Sequence, residues 1–170
     1  MVLQAGFLYF AAVIVFCALM VVTRKNPVHS VLFMLPLFFH VAGIFVMLGA
    51  EFVAAVQVLV YAGAIMVLFL FVVMLLNVQK VTSRARFRAG WFVTVPLGLT
   101  LAGFFMVILT RASFTGTEGV YTAQAVKAMG NSQALGMVLY TDFLLPFEIA
   151  SVILLVAMVG AVVLAKKRME

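Results

Sequence analysis

Apolar residues fill this chain in five long blocks, and polar residues collect almost entirely in the short stretches between them. The blocks lie at about 3–22, 28–48, 52–77, 91–110 and 143–165. At ~1.5 Å per residue each is long enough as an α-helix to cross a ~30 Å hydrocarbon layer. The pattern predicts an all-α polytopic membrane protein of five transmembrane helices, with one membrane domain spanning residues 1–170. The third block is the most continuous. It reads FVAAVQVLVYAGAIMVLFLFVVMLLN from Phe52 to Asn77, 26 residues without a formal charge. Near its middle the bulky side chains give way to Tyr61, Ala62, Gly63 and Ala64.

The residues between blocks set an orientation. Arg24 and Lys25, then Lys80, Arg84, Arg86 and Arg88, then Lys166, Lys167 and Arg168 fall on one side, nine of the 11 basic residues. Only Arg111 and Lys127 fall on the other. The positive-inside bias therefore predicts an external N-terminus and a cytoplasmic C-terminus. The first block has no basic leader and is followed by Arg24 and Lys25, the reverse of a cleavable signal, so it is expected to remain as a helix.

Composition narrows the function classes. With 67% hydrophobic and 9% charged residues, a water-soluble domain is excluded. The net charge of +6 belongs to orienting loops and does not call for nucleic acid. The connector from Lys80 to Arg88 is suited to anionic lipid headgroups, and Trp91 beside it to an interface anchor. The single Cys17 has no partner for an internal disulfide and sits in an apolar run as a packed thiol.

Local signals refine the spans. Asn26 and Pro27 read as a polar cap and a first helical residue that restart the chain after a tight cytoplasmic turn. Pro36 removes a backbone donor inside the second span and is expected to kink it. The few residues around Glu51 make spans two and three an antiparallel pair. The fourth span, with Pro96, Gly98 and Gly103, reads as packing material. The outer loop 111–141 shows little period and is expected to be irregular, with a short helix at Ala123–Met129, able to clasp partner subunits. Thr141 or Asp142 is expected to cap the fifth span, with Pro146 near its first turn.

Candidate chemistry is sparse. His40 lies near the middle of the second span, where an imidazole must face a partner, a cavity or another subunit. A hydrogen bond to a carbonyl of a neighbouring helix and a role in proton movement are both open. His29 and His40 are about 16 Å apart along a helix and cannot share a metal. With one cysteine, no zinc, haem or iron–sulfur ligand set is expected, and no catalytic or cofactor-binding residue is assigned. Gln57 precedes Tyr61 by four residues, so in a regular helix amide and phenol share a face. The small residues Ala54, Ala55, Ala62, Gly63 and Ala64 fit close helix packing, or a local change of register that glycine tolerates. Glu148, just inside the fifth span, either meets the positive end of its helix or faces a hydrated cleft.

Three stretches together, NPVHSVLFMLPLFFHVAGIFVMLGAEF, QVLVYAGAIMVLFLFVVMLLN and LYTDFLLPFEIASVILLVAMVGAVVLAKK, resemble the J-subunit family of bacterial NADH:quinone oxidoreductase, respiratory complex I. They cover about half of the chain. The resemblance implies a core membrane subunit without a redox centre, in the bacterial inner membrane. Its partners would be the quinone-binding membrane subunit, other small hydrophobic subunits and the antiporter-like subunits. FMN, iron–sulfur clusters and quinone would belong to the complex and not to this chain. It further implies a π-bulge at Tyr61, Ala62 and Gly63, whose conversion to regular helix would gate a water path. Gln57 stands where some members carry a glutamate, and His40 is outside the family pattern. The resemblance also admits a relative in a multisubunit cation/proton antiporter or membrane-bound hydrogenase. A stand-alone channel finds no support in so few intramembrane polar groups.

Overall fold

The structure is a computed structural model that describes residues 1–75, 91–112, 119 and 121–166. Every regular element among these residues is helical, and five of the helices are long and apolar enough to cross a membrane. The expectations for Asn77, for the basic connector Lys80, Arg84, Arg86 and Arg88, for the Trp91 side chain, and for Lys167 and Arg168 lie outside what is described. The chain divides into two compact units, Met1–Glu118 and Gly119–Glu170.

The first unit holds α1 (Val2–Thr23), α2 (Pro27–Met47), α3 (Glu51–Leu75) and α4 (Trp91–Arg111). Asn26 caps α2 as its sequence predicts. Its Oδ1 accepts the Val28 N–H at 3.0 Å, and Pro27 fills a position that needs no donor. The helix then runs unbroken through Pro36 to Met47. It ends because Gly49 takes a φ of +71°, a left-handed conformation that costs glycine little. The Gly49 N–H bonds the Val46 carbonyl at 3.0 Å and the Ala50 N–H bonds the Phe45 carbonyl at 2.9 Å. These are the two bonds of a Schellman stop, and they turn the chain directly into α3.

Packing of α1 on α2 is set by one small residue. A Cβ at Gly43 would strike the Phe10 ring, so the absence of a side chain there lets the ring lie against the α2 backbone. Phe10 also meets His40 edge-on at 5.7 Å between centroids. Cys17 and Val31 are buried, the cysteine as a packed thiol. At the turn between these helices the Arg24 guanidinium lies 5.1 Å from the Phe33 ring centroid, a cation–π contact that ties the end of α1 to α2.

Only eight described side chains are buried: Cys17, Val31, Ala42, Ala54, Gln57, Ala62, Met66 and Ala134. Half of them are alanines, so these helices approach through small residues more than through a bulky core. Every described side chain of α4 is exposed. Its Thr100 and Thr110 hydroxyls donate to their own helix, at 2.8 Å to Pro96 O and 3.0 Å to Met106 O, and so need no partner.

The second unit holds α5 (Ala123–Met129), α6 (Asn131–Tyr140) and α7 (Leu144–Ala165). α5 occupies the expected residues, with the Thr122 hydroxyl accepting the Ala125 N–H at 3.2 Å. The expectation of an otherwise irregular outer segment is corrected for Asn131–Tyr140, which form α6. Gly130, at a φ of +96°, makes the corner between the two helices. The fifth span is not capped by Thr141 or Asp142. Phe143 holds the cap position, and the Thr141 hydroxyl donates backwards to Met137 O at 2.7 Å, closing α6 instead of opening α7.

Candidate functional site

The backbone of α3 changes its spacing partway along the helix. Glu51–Val56 and Met66–Leu75 are α-helical, while Gln57–Ile65 is π-helical. At its end the Met66 N–H reaches the Tyr61 carbonyl, five residues back, where a regular helix would use the carbonyl four back. Such turns occur mostly as single insertions at functional sites. The segment holds Gln57, Tyr61, Ala62 and Gly63 together.

The wider turn decides which side chains face inward. In a regular α-helix, residues five apart point ~140° away from each other. Here Gln57 and Ala62 are both buried, at 8% and 6% exposure, because five-residue spacing brings them onto one line. Tyr61, 46% exposed, packs edge-on against Phe38 of α2 at 5.9 Å between centroids.

Among the described residues no other helix packs closely on Gly63. A Cβ there would meet only the Val58 carbonyl of its own helix, at 3.4 Å, which is ordinary contact. No other described atom lies within reach of it. The tightest glycine contact among the described residues is Gly43 against Phe10, 20 positions earlier in the chain.

Gln57 is the one buried polar residue among those described, and no described residue hydrogen-bonds its amide. It lies at the first position of the π turn.

His40 lies on α2, two residues past Phe38, the partner of Tyr61. Its Nδ1 is 2.7 Å from the Pro36 carbonyl of its own helix and its Nε2 is 3.5 Å from the Tyr9 hydroxyl on α1. A carbonyl can only accept, so Nδ1 carries the proton of that bond. In the neutral ring Nε2 is then an acceptor for the tyrosine O–H. The interhelical partner is thus a hydroxyl, and the carbonyl is intrahelical. Tyr9 and Phe38 carry no sequence signal for these roles, since an aromatic residue in a membrane span is ordinary.

Glu148 is exposed on α7, past the first turn, and is not a cap. Its own carbonyl accepts the Ser151 hydroxyl at 2.7 Å. It belongs to the second unit, and Gln57, Tyr61 and His40 belong to the first. Glu51, exposed in the first turn of α3, has a favourable position at a helix N-terminus. Among the described residues no group of three or more His, Cys, Asp and Glu side chains gathers as metal ligands.

Fold and site together define a multi-pass helical membrane protein whose distinctive element is a π turn buried against a proline-containing neighbour helix. Residues 17–164 match the family model described as NADH-ubiquinone/plastoquinone oxidoreductase chain 6. The chain is 42% identical over 94% of its length to a protein of Rhodobacter capsulatus named NADH-quinone oxidoreductase subunit J, 79% of which is covered. A Rickettsia typhi protein of the same name is 38% identical over 96% of this chain and 80% of its own length. The NAD(P)H-quinone oxidoreductase chain 6 of Synechocystis is 39% identical over 95% of this chain and 80% of that protein. The chain belongs to the chain 6, or subunit J, family of the quinone oxidoreductases.

Proposed function

We infer that this chain is a non-catalytic membrane subunit of a proton-translocating NADH:quinone oxidoreductase, and that the π turn of α3 is its moving part. The observation that carries the second half is Gln57–Ile65 itself. Five-residue spacing holds Gln57 and Ala62 on one buried line, and regular spacing would separate them by ~140°. Conversion to α-helix therefore rotates one half of the helix against the other. Tyr61 leaves its contact with Phe38, and the wall that α3 presents to its neighbours changes. A wall with two discrete arrangements can open and close a path for water, which couples quinone reduction to proton movement.

Partners complete this reading. The extensively exposed apolar surfaces of α4 and α7 suit lipid and other membrane subunits, namely the quinone-binding subunit, the small hydrophobic subunits and the antiporter-like subunits. FMN and iron–sulfur clusters are held elsewhere in the complex, and quinone binds beside it. The assembly lies in the bacterial inner membrane with the N-terminus of this chain outside and its C-terminus in the cytoplasm.

Gly63→Ala tests the moving part. A methyl group at Gly63 clashes with nothing described, so a packing role predicts no effect. Alanine favours regular helix over glycine by ~1 kcal/mol, about a five-fold shift in population when the preference acts on the α state. The fully assembled variant is expected to lose quinone-coupled turnover by up to that factor, while electron entry from NADH to an artificial acceptor stays at its native rate. Tyr61→Phe should show a milder loss. Native quinone turnover in both variants removes the gating role and leaves the π turn as architecture.

A further inference from the structure

We propose that Arg24, assisted by Lys25, binds the phosphate of an anionic phospholipid at the turn between α1 and α2. The site is independent of the π turn. It is also independent of the orientation of the chain, because a turn between two spanning helices lies at a membrane surface either way.

Long basic side chains at the end of a span ordinarily reach away from the hydrocarbon and into water. The Arg24 guanidinium turns the other way. Its Nη2 donates to Met20 Sδ, one turn back along α1, and its Cζ lies 5.1 Å from the ring centroid of Phe33, nearly two turns into α2. Both contacts lie on the membrane side of Arg24. A thioether and a ring face orient a guanidinium without neutralising it.

No described carboxylate answers this charge. Neither Arg24 nor Lys25 bonds an acidic side chain among the described residues. Glu51, the one described acidic residue of the first unit, starts α3 beyond the far end of α2, a helix of 21 residues and about 32 Å. Two cations at one membrane boundary therefore call for an anion from outside the chain.

The donor geometry selects a phosphate. The sulfur takes one of the five guanidinium N–H groups, and four are left for a forked bond to two oxygens of one phosphate. Lys25, exposed beside it on the turn, adds a point charge with three rotatable donors. Two positive charges favour a headgroup with net negative charge over a zwitterionic one. A tailed anion also suits the depth. Leu19 and Leu32, on the same stretches of α1 and α2 that hold the guanidinium, are exposed and give acyl chains an apolar surface to lie on.

The experiment is a structure of the assembled complex in nanodiscs of phosphatidylcholine mixed with phosphatidylglycerol. It is set beside the same complex in phosphatidylcholine alone and in lipid-free detergent with inorganic phosphate. We expect a headgroup phosphate within about 3.2 Å of the Arg24 guanidinium only where phosphatidylglycerol is present. Arg24→Gln should lose that density. In Lys25→Gln the phosphatidylglycerol fraction that half-fills it should rise about five-fold, the worth of one basic side chain near an anionic surface. A partner subunit's carboxylate on Arg24 overturns the proposal, as does the same density in phosphatidylcholine alone. Filling by inorganic phosphate but not by phosphatidylglycerol, or a lipid that stays in place in Arg24→Gln, overturns it too. If Arg24→Gln does not assemble, the native complex and Lys25→Gln decide.

Discussion

Two glycines of the first unit do opposite work at the scale of single residues. Around Gly63 a side chain has room, so glycine there permits a backbone state; around Gly43 it has none, so glycine there permits a contact. Burial separates the polar residues in the same way. Gln57 is enclosed and unpaired, whereas Glu148 is exposed and has water or a partner surface within reach. A neutral amide satisfies an exposed, hydrated position nearly as well as a carboxylate. Glu148→Gln is therefore expected to stay within about two-fold of native turnover and pumping, and Glu148→Leu to fall further because it repels water. Near-complete loss of pumping in an assembled Glu148→Gln complex would instead make the carboxylate obligatory.

The elements that matter most are a pair of helices and a turn. α1 and α2 meet through Phe10 on Gly43, with Tyr9 and His40 bonded across the same seam at 3.5 Å. Overpacking a close contact costs about 1–3 kcal/mol. Gly43→Ala is expected to lower the thermal stability of the purified complex by such an amount, and Gly43→Leu to prevent assembly. Both follow from thermal unfolding and subunit composition after purification, and a stable Gly43→Leu complex would mean that α1 does not rest on α2 as described. His40 reports on the same seam. Its bond to Pro36 fixes the ring on its own helix, so the imidazole steadies α2 directly behind Phe38, against which Tyr61 packs.

For the whole molecule the decisive quantity is charge asymmetry, nine basic residues against two. Inverting such a bias is opposed at every cytoplasmic loop. In a Cys17→Ala background, Lys25→Cys should be protected from an impermeant thiol reagent in intact cells, and Ser132→Cys should react. Both positions are exposed, so access reports sidedness and not burial. Labelling of position 25 from outside would reverse the orientation and with it the assignment of the loops.

The sequence alone determined what depends on composition and on local bonding. Twenty apolar residues have few stable states in lipid other than a helix that satisfies its own backbone, so the spans were legible from length and hydropathy. The Asn26 cap and Pro27 were legible because a cap is made by neighbours in the chain. α6 was not, since its first residues are polar and its inward positions, Ala134, Leu135, Val138 and Leu139, form only a short track. The cap expected at Thr141 or Asp142 failed for a similar reason: the Thr141 hydroxyl had a closer carbonyl behind it than a helix ahead of it. What only the tertiary structure decided is direction. Whether Gln57 and Ala62 are buried together depends on the spacing of the turn, and a list of residues reads the same with either spacing. That Gly43 and not Gly63 makes the tight contact depends on where Phe10 of another helix lies. Side chains that are neighbours in space but not in sequence leave no periodic trace, and in a membrane, where almost every position is apolar, hydropathy cannot mark the face that turns inward.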